Sequence, residues 1–522
     1  MFLSTRLLRR SSAIALAVSS LALSTVSILA AEPGAPCCAD LEERIAELEQ
    51  TTASKGNRKM SLTISGTVNR VVLWWDDGHS SGTYYGLDNA DLSSRFVFTG
   101  SAKMTAKLTT GFEIMIGARA SGQTLSVNQL DEDGKLSTFV PNVNVSATGP
   151  IGIPSGNAHN DDAFFGEGRR FLWWLEHEDL GRLSVGRLDM AGVWSTIDLT
   201  GNVFNVGSGS LALLNGSFVI RGPAGQYYAM VWGNITDPAA TFNRTELVRY
   251  DSPTWKGFIY SASVAEAGNY WGTMLRYLGE HGPFRIVGQV GYERAMDIAT
   301  PGVVDPANVA YTGRPPNVTG RSLALSAMHL PTGLFVQGHV ISADFGGDII
   351  GSPSGYFGQT TVNKKGDHQW FLQGGISKNW FGYGPTSIYG EYAVSEDYGA
   401  DLTNATGTTL GRDYLAPVNT TGFTPVRGVT ATELRTWGVG IAQDFNPGTT
   451  SVSSFANLVS SAPTTIYLGY RHFDPDIRCT DLIAAATCSG GVSVTAAPGA
   501  FAIHKLPAEP ISVTVGGVRV RF

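Results

Sequence analysis

The residues best suited to chemistry lie in one stretch, Arg169–Val203, which reads RRFLWWLEHEDLGRLSVGRLDMAGVWSTIDLTGNV. Its first part is a hairpin, Phe171–Glu176 and Arg182–Arg187, turned at Glu178-Asp179-Leu180-Gly181. A long segment follows that does not continue as a strand; it carries Asp189 and Asp198 and is bounded by Gly192 and Gly201. Carboxylates on such a segment are suited to selecting charged solutes, not to making bonds. Covalent catalysis needs a nucleophile, an oriented base and a third group. No GxSxG elbow or HExxH zinc site occurs, and His329 and His339 stand alone on strand-like runs. The four cysteines form two pairs. Cys479 and Cys488 enclose a short stretch and are disulfide candidates in an oxidising compartment. Cys37-Cys38 follows Pro36, lacks a lipoprotein cleavage pattern, and has no second pair or histidine cluster to make a zinc site. Neither pair reads as catalytic, metal-binding or cofactor-binding.

The elements that must position these charges are strands. Only 16% of residues are charged, 63 of 522 are Gly, and 10% are aromatic. That mixture is too apolar for disorder and lacks the long apolar runs of a helical membrane protein. A net charge of −7 with no basic domain argues against nucleic acid as a partner. Residues 1–31 read as a cleaved signal peptide: Arg6, Arg9 and Arg10 precede the apolar run Ala13–Leu29 and a small-residue site at Ala30-Ala31. Residues 32–59 form an N-terminal segment with one short helix, Asp40–Gln50, in which Asp40 and Glu43 make a capping pattern and Leu41, Ile45 and Leu48 form a seam. Under two heptads cannot hold alone. The segment is a solvated spacer, or a coiled coil that forms when copies meet, and it is a candidate contact for peptidoglycan.

From residue 60 onward the period is two. Phe284, Ile286, Val290 and Tyr292 oppose Arg285, Gln289 and Glu293; Leu334, Val336 and Val340 oppose Gln337 and His339. Runs of about ten residues with one apolar and one polar face are what a membrane-spanning strand requires. Tight turns such as Gly279–Pro283 and Pro331–Gly333 alternate with long connections, among them Gln123–Gly168, Ala295–Gly320, Phe345–Asp367, Ser395–Glu433 and Asp474–Pro510. Aromatics gather near strand ends, at Trp74-Trp75, Trp173-Trp174, Tyr227-Tyr228, Tyr270-Trp271, Trp380-Phe381 and Trp437, as interfacial belts require. Residues 60–522 divide into about 18 strands, enough to leave an aqueous lumen. Arg70 falls on the apolar face of the first strand, which reads as a bulge or a protomer contact, and Gly516-Gly517 shifts the phase of the last, which reads as a bulge.

Several stretches together resemble the alpha-proteobacterial branch of the general porins: LEERIAELE followed by KGNRKMSLTISGTVNR, then SSRFVFTGSAKM, LGRLSVGRLD, STIDLTGN and the terminal VGGVRVRF. The resemblance runs from about Asp40 to the end. It implies an all-β fold, a transmembrane antiparallel barrel of 16 strands (against about 18 by counting) with the third external loop folded inward. It also implies a homotrimer in the cell outer membrane that passes small hydrophilic solutes and ions by passive diffusion. On this resemblance Asp189 and Asp198 map onto the inward loop, and Arg95, Arg119 and Arg170 are the wall arginines that oppose them. Arg249, Arg276 and Arg285 form a second basic ladder by strand phase. Val518, Val520 and Phe522 look like the terminal signal read by the outer-membrane barrel assembly machinery, and lipid is the other partner implied. Two alternatives stand beside this reading: a solute-specific channel with a saturable site, and an outer-membrane hydrolase.

Overall fold

The computed structural model describes residues 60–118, 122–132, 167–192, 197–207, 209–236, 244–265, 269–296, 317–346, 362–364, 366–397, 402–404, 412–414, 423–424, 426–445, 464–480, 493–494 and 503–522. The leader, Cys37, Cys38, the Asp40–Gln50 helix, Arg119 and Cys488 lie outside the described residues.

In chain order the strands are β1 (Ser61–Asp76), β2 (Ser81–Asp88), β3 (Arg95–Lys103), β4 (Leu108–Gly117), β5 (Glu167–His177), β6 (Gly181–Asp189), β7 (Val219–Arg221), β8 (Tyr227–Val231), β9 (Arg244–Asp251), β10 (Phe258–Ala265), β11 (Tyr270–His281) and β12 (Phe284–Met296). There follow β13 (Asn317–His329), β14 (Leu334–Gly346), β15 (Val362–Lys364), β16 (Asp367–Lys378), β17 (Thr386–Glu396), β18 (Leu402–Asn404), β19 (Arg412–Tyr414), β20 (Phe423–Thr424), β21 (Val426–Phe445), β22 (Thr464–Thr480), β23 (Ser493–Val494), β24 (Ile503–Leu506) and β25 (Ile511–Arg521).

The wall closes at 16 antiparallel strands, not the 18 that counting gave. It runs β1, β3 to β6, β9 to β14, β16, β17, β21, β22 and β25, and β25 returns to pair with β1 from Thr67–Arg521 to Asp76–Ser512. The excess in the count has two sources. β2 and β3 are one broken wall strand, pairing with the upper and lower halves of β1 respectively. The short β7, β8, β15, β18, β19, β20, β23 and β24 belong to connections. Alternation of short turns with long connections is also less strict than the sequence implied. β1 and β2 are joined by the brief connection 77–80 at the long-loop end.

Periodicity places the apolar face outward. Phe284, Val290, Leu334, Val336, Val340 and Ile388 are exposed, whereas Gln289, Glu293, Gln337, His339 and Glu391 are buried inside the wall. This inversion of a soluble protein is what lipid demands of a barrel. Aromatic pairs mark both edges of the band: Trp271–Tyr292, Trp370–Tyr392 and Trp437–Tyr470 toward the long loops, and Phe258–Tyr277, Phe284–His329 and Tyr383–Phe445 toward the short turns. Beyond Trp437 the alternate residues of β21 become Arg435 and Glu433, which form an ion pair, so the wall continues past the apolar band as a water-facing sheet.

The segment after β6 is a folded unit inside this wall. Its backbone and side chains bond to inward residues of strand after strand. Ala191 N donates to Ser263 Oγ at 2.9 Å, and Ile197 O accepts from Ser326 Oγ at 2.6 Å. Leu199 N donates to Gln337 Oε1 at 3.2 Å, and Gly207 O accepts from Gln373 Nε2 at 2.8 Å. Two glycines of the wall permit this approach: a β-carbon on Gly272 would stand 2.1 Å from Ala191 O, and one on Gly291 2.1 Å from Gly192 O. Farther along, Leu211, Leu214, Phe218, Tyr228, Met230 and Trp232 pack against Leu73, Trp75, Phe473, Ile511, Val513 and Val515 of the inner wall in one buried cluster. Residues from other connections join it: Gln129 pairs with the Val219 backbone in both directions, and β20 adds a parallel strand to β8.

This packing corrects two further expectations. Gly516-Gly517 is not a bulge, because β25 keeps continuous register with β1 and β22 through both glycines. The phase only looked shifted because the inward face changes from Val513 and Val515, which touch the folded unit, to Arg519 and Arg521, which do not belong to its apolar cluster. Tyr227 and Tyr228 are not in an interfacial belt either; they lie on β8, buried within the barrel.

Candidate functional site

The charged groups of the lumen are set by strand phase. On β5, Phe171 and Trp173 are exposed outward, which turns Arg170 inward. There it donates from Nε to Asp189 Oδ2 at 2.8 Å and from Nη1 to Glu113 Oε1 at 3.1 Å. Asp189 also accepts from Arg244 Nε at 3.0 Å. Asp189 is therefore the final residue of wall strand β6 and the hub of a β4–β5–β6–β9 network, instead of a charge on the loop. Such a half-buried network of two guanidiniums on one carboxylate fixes the side chains in place, with charge-assisted bonds stronger than neutral ones.

Asp198 does lie on the inward segment, yet its carboxylate is turned into the segment's own backbone. It accepts from the N–H of Thr200 at 2.8 Å, Val203 at 3.0 Å and Phe204 at 3.2 Å, and from the Thr200 hydroxyl at 2.6 Å. These bonds satisfy the orphan donors at the start of the Val203–Asn205 turn. Burial pushes this carboxyl above its ordinary range, and the bonds from Thr200, Phe204 and Gly201 oppose that shift. Asp198 organises the segment; it is 1% exposed and presents no charge to the lumen surface.

Arg95 sits half-buried at the start of β3, in the same row as Thr67 and Arg521. Its guanidinium lies within Coulombic range of Arg169, Arg170, Arg244 and Arg519, so the wall opposite the segment is strongly basic. Of the second basic ladder, Arg249 and Arg276 share Asp251 at 2.8 Å each, and Arg285 pairs with Glu280 beside the short turn. Sequence reasoning missed Arg244 and Arg519, and the buried pair of Arg471 with Glu391. Strand phase alone, with β25 read straight through its glycines, would have found Arg519.

The remaining candidates fall as follows. His339 stacks on Phe371 with centroids 5.5 Å apart and bonds to Gln369 at 3.1 Å, while His329 bonds to Thr332 in a turn. Neither faces a serine or cysteine nucleophile in these bonds. Cys479 is buried and disulfide-bonded. Val518 and Val520 face outward on β25, and Phe522, just past its end, is exposed as well; the Phe522 ring lies over Gly66 and 5.7 Å from Phe96. Among the described residues no cluster of three or more metal-ligating side chains occurs.

A family model described as Gram-negative porin matches residues 11–473. No curated protein matches the sequence. Among solved structures, OmpT of Vibrio cholerae is 9% identical over 90% of this chain and 99% of that one, with a TM-score of 0.42. OprB of Pseudomonas putida is 11% identical over 92% and 97%, with a TM-score of 0.39. OmpF of Salmonella typhi, in a complex with daunomycin, is 9% identical over 88% and 97%, with a TM-score of 0.41. With the family match covering fifteen of the wall strands in whole or large part, and the wall closed upon itself, this chain belongs to the Gram-negative porins, channel proteins of the outer membrane.

Proposed function

We propose that the protein is a diffusion channel for small hydrophilic solutes and ions, selected by charge where the inward segment faces the arginine wall. The observation that carries this reading is the meeting of two features in one layer. The inward segment crosses from β6 to β10, β13, β14 and β16, and the groups left partly exposed beside it are Arg95, Arg170, Glu113 and Arg244. Charged rings next to a constriction act on ions through electrostatics, while the constriction excludes by size. Liposomes containing the refolded protein are expected to swell in small neutral solutes at a rate that falls steeply with solute size. Swelling equal to that of protein-free liposomes would reject the reading.

A solute-specific channel is the second reading, and one observation favours it. The inward unit is joined by residues 122–132 and by β20, and Tyr228 donates to Pro507 O at 2.8 Å, so four connections converge inside the mouth. Saturation of flux at low solute concentration would favour it over open diffusion.

The homotrimer is part of the proposal. Arg70 projects outward between Val68 and Val72 on β1 and beside Val518 on β25, and its side chain donates to Gly86 O at 3.3 Å. An arginine facing lipid near mid-depth costs roughly 2–4 kcal/mol, a cost that contact with a neighbouring protomer removes. Export by the leader, insertion by the barrel assembly machinery through Phe522, and contact of the N-terminal helix with peptidoglycan complete the reading.

A further inference from the structure

The channel reading above treats the wall arginines as a general field. Three of them carry a more specific consequence. Arg521 and Arg95 each stand opposite Thr67, on its two sides, so their Cα atoms lie in one row about 10 Å apart. Arg519 is two residues along the same inward face of β25. Arg519 is 1% exposed, yet among the described residues its Nε and Nη1 have no hydrogen-bond partner; Nη2 donates at 3.2 Å to Thr465 Oγ1 and 3.4 Å to Gly201 O. Arg521 likewise keeps Nη2 buried and unmatched. Among the described residues, no carboxylate forms an ion pair with Arg95, Arg519 or Arg521.

Carboxylates are near enough to be felt but not bonded. Asp444 lies within Coulombic range of both Arg519 and Arg521, and its oxygens receive Asn202 and Thr465. Asp198 and Asp91 are also within range of Arg519; Asp198 is engaged by the segment's own backbone. Buried guanidinium N–H groups normally find an acceptor, and three cations of one sign in a small space repel unless an anion lies among them. We infer that Arg95, Arg519 and Arg521 hold a small inorganic anion, of the chloride or phosphate class, on the inner wall beside the Gly201 turn of the inward segment. The inference deepens the channel reading and rests on it. Anions then cross this layer by exchange at an occupied site, as conduction through a binding site requires.

The test is planar-bilayer recording of the full-length protein in potassium chloride, with inorganic phosphate titrated at constant ionic strength. Wild-type current is expected to fall saturably as phosphate replaces chloride at the site. The double variant Arg95→Gln/Arg521→Gln is expected to need at least about tenfold more phosphate for the half-effect. Lys107→Gln, a cation of the short turn paired with Asp179, is expected to titrate as wild type. Because Arg519 is wholly buried, the half-buried Arg95 and Arg521 are the positions varied, with folding of the double variant checked by heat-modifiable gel mobility. Phosphate without effect on wild-type current, or an unchanged half-effect in the folded double variant, would overturn the inference while leaving the channel standing. A folded protein that gives no openings would overturn the channel reading and this inference with it.

Discussion

Asp189 offers the sharpest test of how the lumen selects charge. Its carboxylate joins Arg170 and Arg244, and Asp189→Asn keeps its shape while raising the local charge by one unit. A monovalent ion passing about 8 Å away, at an effective dielectric of about 60 between the protein-surface and bulk-water limits, feels roughly 0.7 kcal/mol from that charge. With a Debye length of about 10 Å at 0.1 M salt this falls to about 0.3 kcal/mol, and at 1 M, where the length is about 3 Å, it nearly vanishes. Cations and anions shift in opposite directions, so the permeability ratio moves by about 0.6 kcal/mol, roughly threefold toward anions at 0.1 M. The assay is the reversal potential across a salt gradient, measured at low and at high mean concentration. Glu113 remains to hold Arg170, so gross rearrangement of the wall is not expected. An unchanged reversal potential at low salt, or a shift toward cations, would refute the placement of Asp189 at the constriction.

Other consequences of the structure can be checked in parallel. Gly291→Val puts a β-carbon where Gly192 O now stands 2.1 Å away, so the root of the inward segment must retreat; altered single-channel conductance from a normally folded barrel is expected. Trp232→Ala removes a ring buried at 1% exposure in the cluster between the inward unit and the wall, and should cost about 3–5 kcal/mol, read as a lower unfolding temperature of the inward unit's protease protection. Asp198→Ala should make openings heterogeneous by releasing the backbone N–H groups it holds, and Asp198→Asn should do so less. Cys479 is expected to bridge Cys488; digestion without reductant should give one peptide pair that separates on reduction, and free-thiol labelling of Cys479 would contradict it.

The outer half of the fold was legible in the sequence because lipid imposes a simple rule. Val290, Val336, Leu372 and Ile388 had to be apolar, and each is exposed on the band. The inner half was harder to read because two different neighbours cover it. Where the inward unit packs, Leu73, Trp75, Val513 and Val515 are as apolar as the lipid face, so alternation vanishes and mimics a bulge. Past that apolar contact, Arg519 and Arg521 restore it. The same effect hid the size of the inward segment: Tyr227 and Tyr228 read as belt residues, although Tyr228 packs with Phe218 and Trp232 in the core of a unit inside the barrel. Asp189 and Asp198 were recognised as a pair, but residue type could not separate a carboxylate that joins two wall arginines from one that caps its own backbone. That distinction depends on register, which the pairing of β6 with β9 sets by placing Asp189 opposite Arg244.

The central claim is that this barrel conducts through a charged constriction, and single-channel recording tests it most directly. Purified, refolded protein in a planar bilayer should give stepwise openings, grouped in threes if protomers assemble as proposed, with a reversal potential that moves toward anions in Asp189→Asn. Well-folded protein that inserts and gives no openings would contradict the account.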